Sequence, residues 1–174
     1  MKENETVNIE SIADVYDLFE RKLSEMVEQL PTADKVSVER LAQMPADDYV
    51  LKHNKGSLGI FYLGTNYNKR EGTAGRSVLL NEDILMSVYA IIRFQDNGLA
   101  SLDKLKRFGT MPAQYPEMIV DALSGIEVRS TRPVAERKII PVKTDLLQES
   151  SGVWFYVSTF SVPRDYIEKN YRNQ

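Results

Sequence analysis

Ser151-Gly-Val-Trp-Phe-Tyr-Val-Ser-Thr-Phe-Ser-Val-Pro163 is the stretch on which the fold turns. Trp154, Tyr156, Phe160 and Val162 occupy its even positions; Val153, Phe155 and Val157 lead its odd positions, followed by Thr159 and Ser161. Successive strand residues point to opposite faces, so both faces are apolar through Tyr156 and Val157. That pattern predicts a central strand with neighbours on both edges and cover on at least one face. Gly152 and Pro163 bracket it, and Trp154, the only tryptophan of the chain, is expected to be largely buried.

Working outward, the natural antiparallel partner is Glu82 to Phe94, with Leu85, Val88, Tyr89, Ile91, Ile92 and Phe94. Ser57 to Leu63 reads as another strand, in which Gly59 signals a bulge or a close neighbour. Between these two lies Gly64 to Arg76, with three glycines and no apolar period, expected to be a long loop. Lys35 to Leu41 alternates as a short strand. Pro141 interrupts a strand over Arg137 to Lys143 and assigns it to an edge or a bulge. Ile9, Ile12, Tyr16, Phe19, Leu23, Met26 and Leu30 step by three and four, the mark of an amphipathic helix. Asn8 or Thr6 is suited to cap it, and Ser11 with Asp14 forms a second capping pair; Pro31 ends it. Leu99, Leu102, Leu105 and Phe108 suggest a short helical stretch. Pro116 opens a further helix that buries Met118, Ile119, Ala122 and Leu123 before Gly125. Strands joined by hairpins with helices in two blocks predict an α+β fold: a mostly antiparallel sheet of four to five strands with two main helices on one face. The 174 residues fit a single domain over 1–174, with flexible ends expected at 1–8 and 164–174.

Composition removes several functions. The chain has no cysteine and one histidine, which leaves neither disulfides nor the nitrogen and sulfur ligands of a zinc site. The first residues have no apolar signal-peptide core, and no apolar run approaches the ~20 residues of a membrane span. Neither membrane nor sequence-specific nucleic acid is an expected partner. Residues 1–50 hold 12 acids and 5 bases, whereas 51–174 hold 13 acids and 17 bases. Opposite charge on two surfaces would suit head-to-tail self-association.

No catalytic constellation emerges. His53 sits between Lys52 and Asn54 beside a glycine turn, with no nucleophile and carboxylate converging on it. The adjacent acids Asp47-Asp48 and Glu82-Asp83 read as solvated or oppositely directed. The glycine loop lacks the Gly-Lys-Ser/Thr ending of a phosphate cradle and leads toward a strand rather than a helix. No catalytic, cofactor or metal residue is therefore expected.

In chain order, the N-terminal amphipathic helix, Gly59-Ile-Phe-Tyr-Leu-Gly64, the glycine- and base-containing loop, Ser87-Val-Tyr-Ala-Ile-Ile-Arg93, Ile119-Val-Asp-Ala-Leu-Ser-Gly125 and Gly152 to Pro163 form a pattern. The pattern resembles the Mu-like phage and prophage family of small minor tail proteins, the tail terminators or tail-completion proteins. The likeness runs from Ile9 to Pro163; the stretch Ser101 to Met111 departs from it. The resemblance implies a non-enzymatic subunit of a ring, expected to be hexameric, that caps the finished tail tube. Such a ring meets tube and sheath proteins below and the head–tail connector above. It belongs to the virion tail, and to the bacterial cytoplasm during assembly. Another connector or baseplate adaptor of such a particle, or an unrelated binding module or small enzyme, stays open. The residues expected to bind partners are Tyr67, Lys69, Arg70 and Arg76 on the loop, Asp14 and Asp17 on the acidic helix, and Arg132 and Arg137 on the basic side.

Overall fold

In a computed structural model, residues 5–45, 54–69, 79–94, 110–129, 137–150 and 152–167 are described. Among these residues, eight strands and two α-helices follow in the order β1 (Thr6–Val7), α1 (Ile12–Glu28), β2 (Ser37–Arg40), β3 (Gly56–Lys69), β4 (Leu79–Arg93), α2 (Gln114–Leu123), β5 (Glu127–Val128), β6 (Arg137–Lys138), β7 (Ile140–Ser150) and β8 (Val153–Ile167). The main sheet has the order β2-β3-β4-β8-β7, and a small sheet has the order β1-β5-β6. This is an α+β fold whose long pairings are antiparallel, while β2–β3 and β1–β5 are parallel.

The expected central pair is present. Val88 lies opposite Ser158, Ala90 opposite Tyr156 and Ile92 opposite Trp154. With period two, Ile84, Met86, Val88, Ala90 and Ile92 of β4 all point to the helix-covered face and are all buried. Leu58 and Ile60 of β3 and Phe160 and Val162 of β8 extend that layer. The layer over it is α1, through Val15, Leu18, Phe19, Leu23, Met26 and Val27, and α2, through Tyr115, Ile119 and Leu123. The Phe19 ring meets Phe160 edge-on at 5.8 Å.

The capping pair that α1 uses is Ser11 with Asp14. The Ser11 hydroxyl accepts from the Asp14 N–H, and the Asp14 carboxylate accepts from the Ser11 N–H at 2.7 Å. These bonds, led by one from the Glu10 N–H, hold the Asp14 carboxyl below its ordinary value. Thr6 is not a cap; it lies in β1, opposite Glu127. At Gly59 the flagged close neighbour is Leu41, whose Cδ1 would stand 2.5 Å from any added Cβ.

Two expectations need correction. Gly64 to Lys69 is not loop: β3 runs through it, after a register shift between Tyr62 and Gly64, and the ladder continues to Lys69 opposite Leu80. Gly64 has φ +145°, where a side chain would be strained, so the bulge takes a glycine. The rest of that stretch, 70–76, lies outside the described residues, as do the helical expectation at Leu99–Phe108 and His53. Trp154 has most of its surface covered, in line with the expectation, and stacks on Tyr156 at 6.5 Å with an interplanar angle of 9°. Nor are all of 1–8 and 164–174 loose ends, since Thr6–Val7 form β1 and Arg164–Ile167 continue β8.

Candidate functional site

The buried charged residues are committed to holding the fold. Asp34 is buried and accepts from both the N–H and the hydroxyl of Thr110 at 3.1 Å, with the Lys55 ammonium 3.6 Å away. The Tyr115 hydroxyl donates to the Asp34 carbonyl at 2.7 Å, and burial together with the Asp34 charge pushes its pKa up. Glu82, equally buried, is paired with Arg164 directly across the ladder, and Arg164 also donates to the Glu10 carbonyl at 3.1 Å. Among the described residues no three His, Cys, Asp or Glu side chains gather as metal ligands would.

The acidic face of α1 is largely neutralised within the chain. Arg40, at the end of β2, bonds Asp17 at 2.6 Å and also Glu20. Lys35 holds Glu28 at 2.7 Å. Arg21 and Lys22 hold Glu5, whose carboxyl lies below its ordinary value, chiefly through Lys22 and then Arg21. Asp14 and Asp17 thus serve the cap and the α1–β2 contact. Arg137 lies on β6, mostly buried, 3.6 Å from Asp83. Tyr67 projects from the far end of β3, 59% exposed, and Lys69 follows at the end of the ladder. Arg70, Arg76 and Arg132 lie outside the described residues. The structure therefore does not gather Asp14, Asp17, Tyr67 and Arg137 into one site.

Among the described residues, exposed apolar side chains concentrate on β7. It bonds β8 on one side and forms an edge of the main sheet on the other. Ile140, Val142, Leu146 and Leu147 are between 50% and 57% exposed along it. Its register shifts at Val142 and again at Leu147, and Pro141 removes one backbone donor. Bulges and proline limit open-ended strand addition, while the apolar side chains stay in solvent.

Beside β7 two hollows flank α2. A groove of about 440 Å³ runs between α2 and the β7–β8 pair, with Pro116 and Val120 on one wall and Thr144 and Tyr156 on the other. Leu146 lies opposite Tyr156 in the ladder and so on the same face. Glu117 and Asp121 line its helix side, and Glu149 lies opposite Trp154. Burial raises the Tyr156 hydroxyl pKa. A larger cleft of about 840 Å³ opens between the end of α1, α2 and the small sheet, with Met26, Leu30 and Met118 beside Lys22, Glu25 and Lys138. Concave surfaces with mixed apolar and polar walls are the usual form of binding sites.

Sequence reasoning did not single out the exposed apolar residues of β7. Ile140 and Val142 around Pro141 were a readable signal, since an edge strand with apolar residues on an interrupted ladder exposes some of them. Comparison with protein-family models and with curated proteins finds no match for the chain.

Proposed function

We propose that this chain is a structural subunit of a phage-like tail: a tail terminator whose copies form a ring on the end of the tube, below the head connector. The observation that carries this reading is β7, an eleven-residue edge strand with four half-exposed apolar side chains. Surface of that kind favours lasting association with other protein. The succession of elements from α1 to β8 that supports the family resemblance adds to it. The role is mechanical, so the residues at stake are those of contact surfaces: β7, the groove beside α2, and Tyr67 at the opposite end.

Immunogold labelling of particles released from a strain that carries this sequence tests the proposal. The expected result is label at one end of each tail, and deletion of the coding sequence yields tubes of unregulated length. Particles that carry no label, or that assemble normally without the chain, overturn it.

A further inference from the structure

Among the described residues, β7 hydrogen-bonds a neighbouring strand along one edge only, that of β8. Across 140–149 every residue is exposed except Asp145, which is partly covered, so both faces of the strand are open as well as its outer edge. Val142 and Leu147 are the extra residues at its two register shifts, and the run 143–146 between them is regular. In that run a cation and an anion, Lys143 and Asp145, flank Thr144 on one face of the strand. Such a sequence is complementary to its own reverse. We propose that β7 pairs antiparallel with β7 of a second copy of the chain, about a two-fold axis at Thr144, and so joins two main sheets edge to edge in a closed dimer.

Charge selects the register. A two-fold that relates antiparallel neighbours runs perpendicular to the sheet and sets one residue opposite its own copy. Centring on Lys143 or on Asp145 sets like charges opposite each other, which is unfavourable. Centring on Leu146 carries the pair across the irregularity at Leu147. Centring on Thr144 sets Lys143 of each copy opposite Asp145 of the other. Within one copy the Lys143 ammonium already lies 3.0 Å from the Asp145 carboxylate; across the axis it gains a second carboxylate, and the charges alternate in sign. The same register brings Leu146 of each copy, 50% exposed, beside Val142 of the other, 57% exposed. The irregularities at Val142 and Leu147, with Pro141 as a missing donor, stop the ladder from lengthening, so the contact closes on two copies. The inference goes beyond the tail reading and does not depend on it. It gives the free chain its own cover for β7, which a ring that uses β7 replaces.

Two measurements on the purified full chain test this. Sedimentation equilibrium is expected to show a dimer. Lys143→Asp or Asp145→Lys alone sets like charges across the axis and is expected to raise the dissociation constant about tenfold. The exchange that combines Lys143→Asp with Asp145→Lys restores the alternation, and the constant is expected to return to within about threefold of the parent's. Far-UV circular dichroism checks that these exposed variants keep their fold. The chain has no cysteine, so Thr144→Cys places a single thiol on the axis. Opposed Cα atoms of an antiparallel pair lie about 4.5–5.5 Å apart, a spacing that a disulfide spans. In a glutathione buffer this variant is expected to form linked dimers about tenfold faster than Tyr67→Cys, an exposed position far from the axis. A chain that is monomeric at every concentration, an oligomer larger than a dimer, or a dimer indifferent to the single reversals overturns the proposal. So does a dimer that the exchange fails to restore, or a Thr144→Cys chain that crosslinks no faster than the Tyr67→Cys chain. Particles labelled as above, from a chain that is monomeric in solution, leave the tail reading standing and remove this one.

Discussion

Strands β4 and β7 lie in one sheet, separated only by β8, and both are rich in branched apolar residues. On β4 those residues vanish from solvent: Ile84, Val88, Ile91 and Ile92 are all buried. On β7 Ile140, Val142, Leu146 and Leu147 stay about half exposed. Intrinsic strand preference is alike in the two; what differs is the number of neighbours and the cover from helices. The centre of the sheet spends its apolar surface on stability. The edge leaves its apolar surface in solvent, where the proposed assembly would use it, and mutations should separate the two roles.

The largest effect is expected in the layer under α1. Phe160→Ala removes the ring that packs against Phe19 and should destabilise the fold by about 3–5 kcal/mol in a denaturant titration. A loss near zero would place the core elsewhere. Arg164→Ala strands the buried Glu82 carboxylate without its partner, and about 3 kcal/mol is expected by the same measurement. Trp154→Ala should cost less, about 1–2 kcal/mol, because this ring is only partly buried; a loss as large as that of Phe160→Ala would erase the distinction between centre and edge.

Smaller effects follow from the cap and from β7. Ser11→Ala should cost about 1 kcal/mol by removing the N-cap of α1. The Asp14 and Glu5 carboxyls lie below their ordinary values of 3.8 and 4.5, so the stability they add is complete above those values. It is lost as pH falls through their lower folded-state values, and an acid titration of Asp14→Asn should lack Asp14's part of that loss. Leu147→Lys on β7 should change folding stability by less than about 0.5 kcal/mol. It should nonetheless weaken self-association in analytical ultracentrifugation, the outcome that would most clearly divide stability from assembly.

These contrasts also explain what was legible in the sequence. The helix α1 and the strands β4 and β8 announced themselves because each runs long enough for its period, 3.6 or 2, to repeat several times. The segment Gly64–Lys69 was read as loop because Thr65-Asn-Tyr-Asn68 is polar; its ladder partner, Leu79–Glu82, rather than its own pattern, makes it strand. Two-residue strands such as β1 and β5 have no period to read; their pairing depends on positions far apart in the chain.

The acidic helix teaches the same lesson about the site. Asp14 and Asp17 were natural choices for an interface because of the charge excess of the first fifty residues. Arg40 and the Ser11 cap occupy them instead. Tyr67 was singled out with the basic residues of its loop, and it stands exposed near the end of β3. The groove beside α2 was not readable, since Val120, Thr144 and Tyr156 meet only when α2 settles over the β7–β8 pair.

The place of β8 in the sheet has a further consequence for synthesis. It is the last strand of the sheet to leave the ribosome, yet it belongs between β4 and β7. Until it emerges, a β3–β4 pair formed on the nascent chain would leave its outer edge, Ile84 to Ile92, with no partner. Every translational pause before Val153 prolongs the life of that open edge. A ribosome stalled there presents the segment that a chaperone would be expected to shield first.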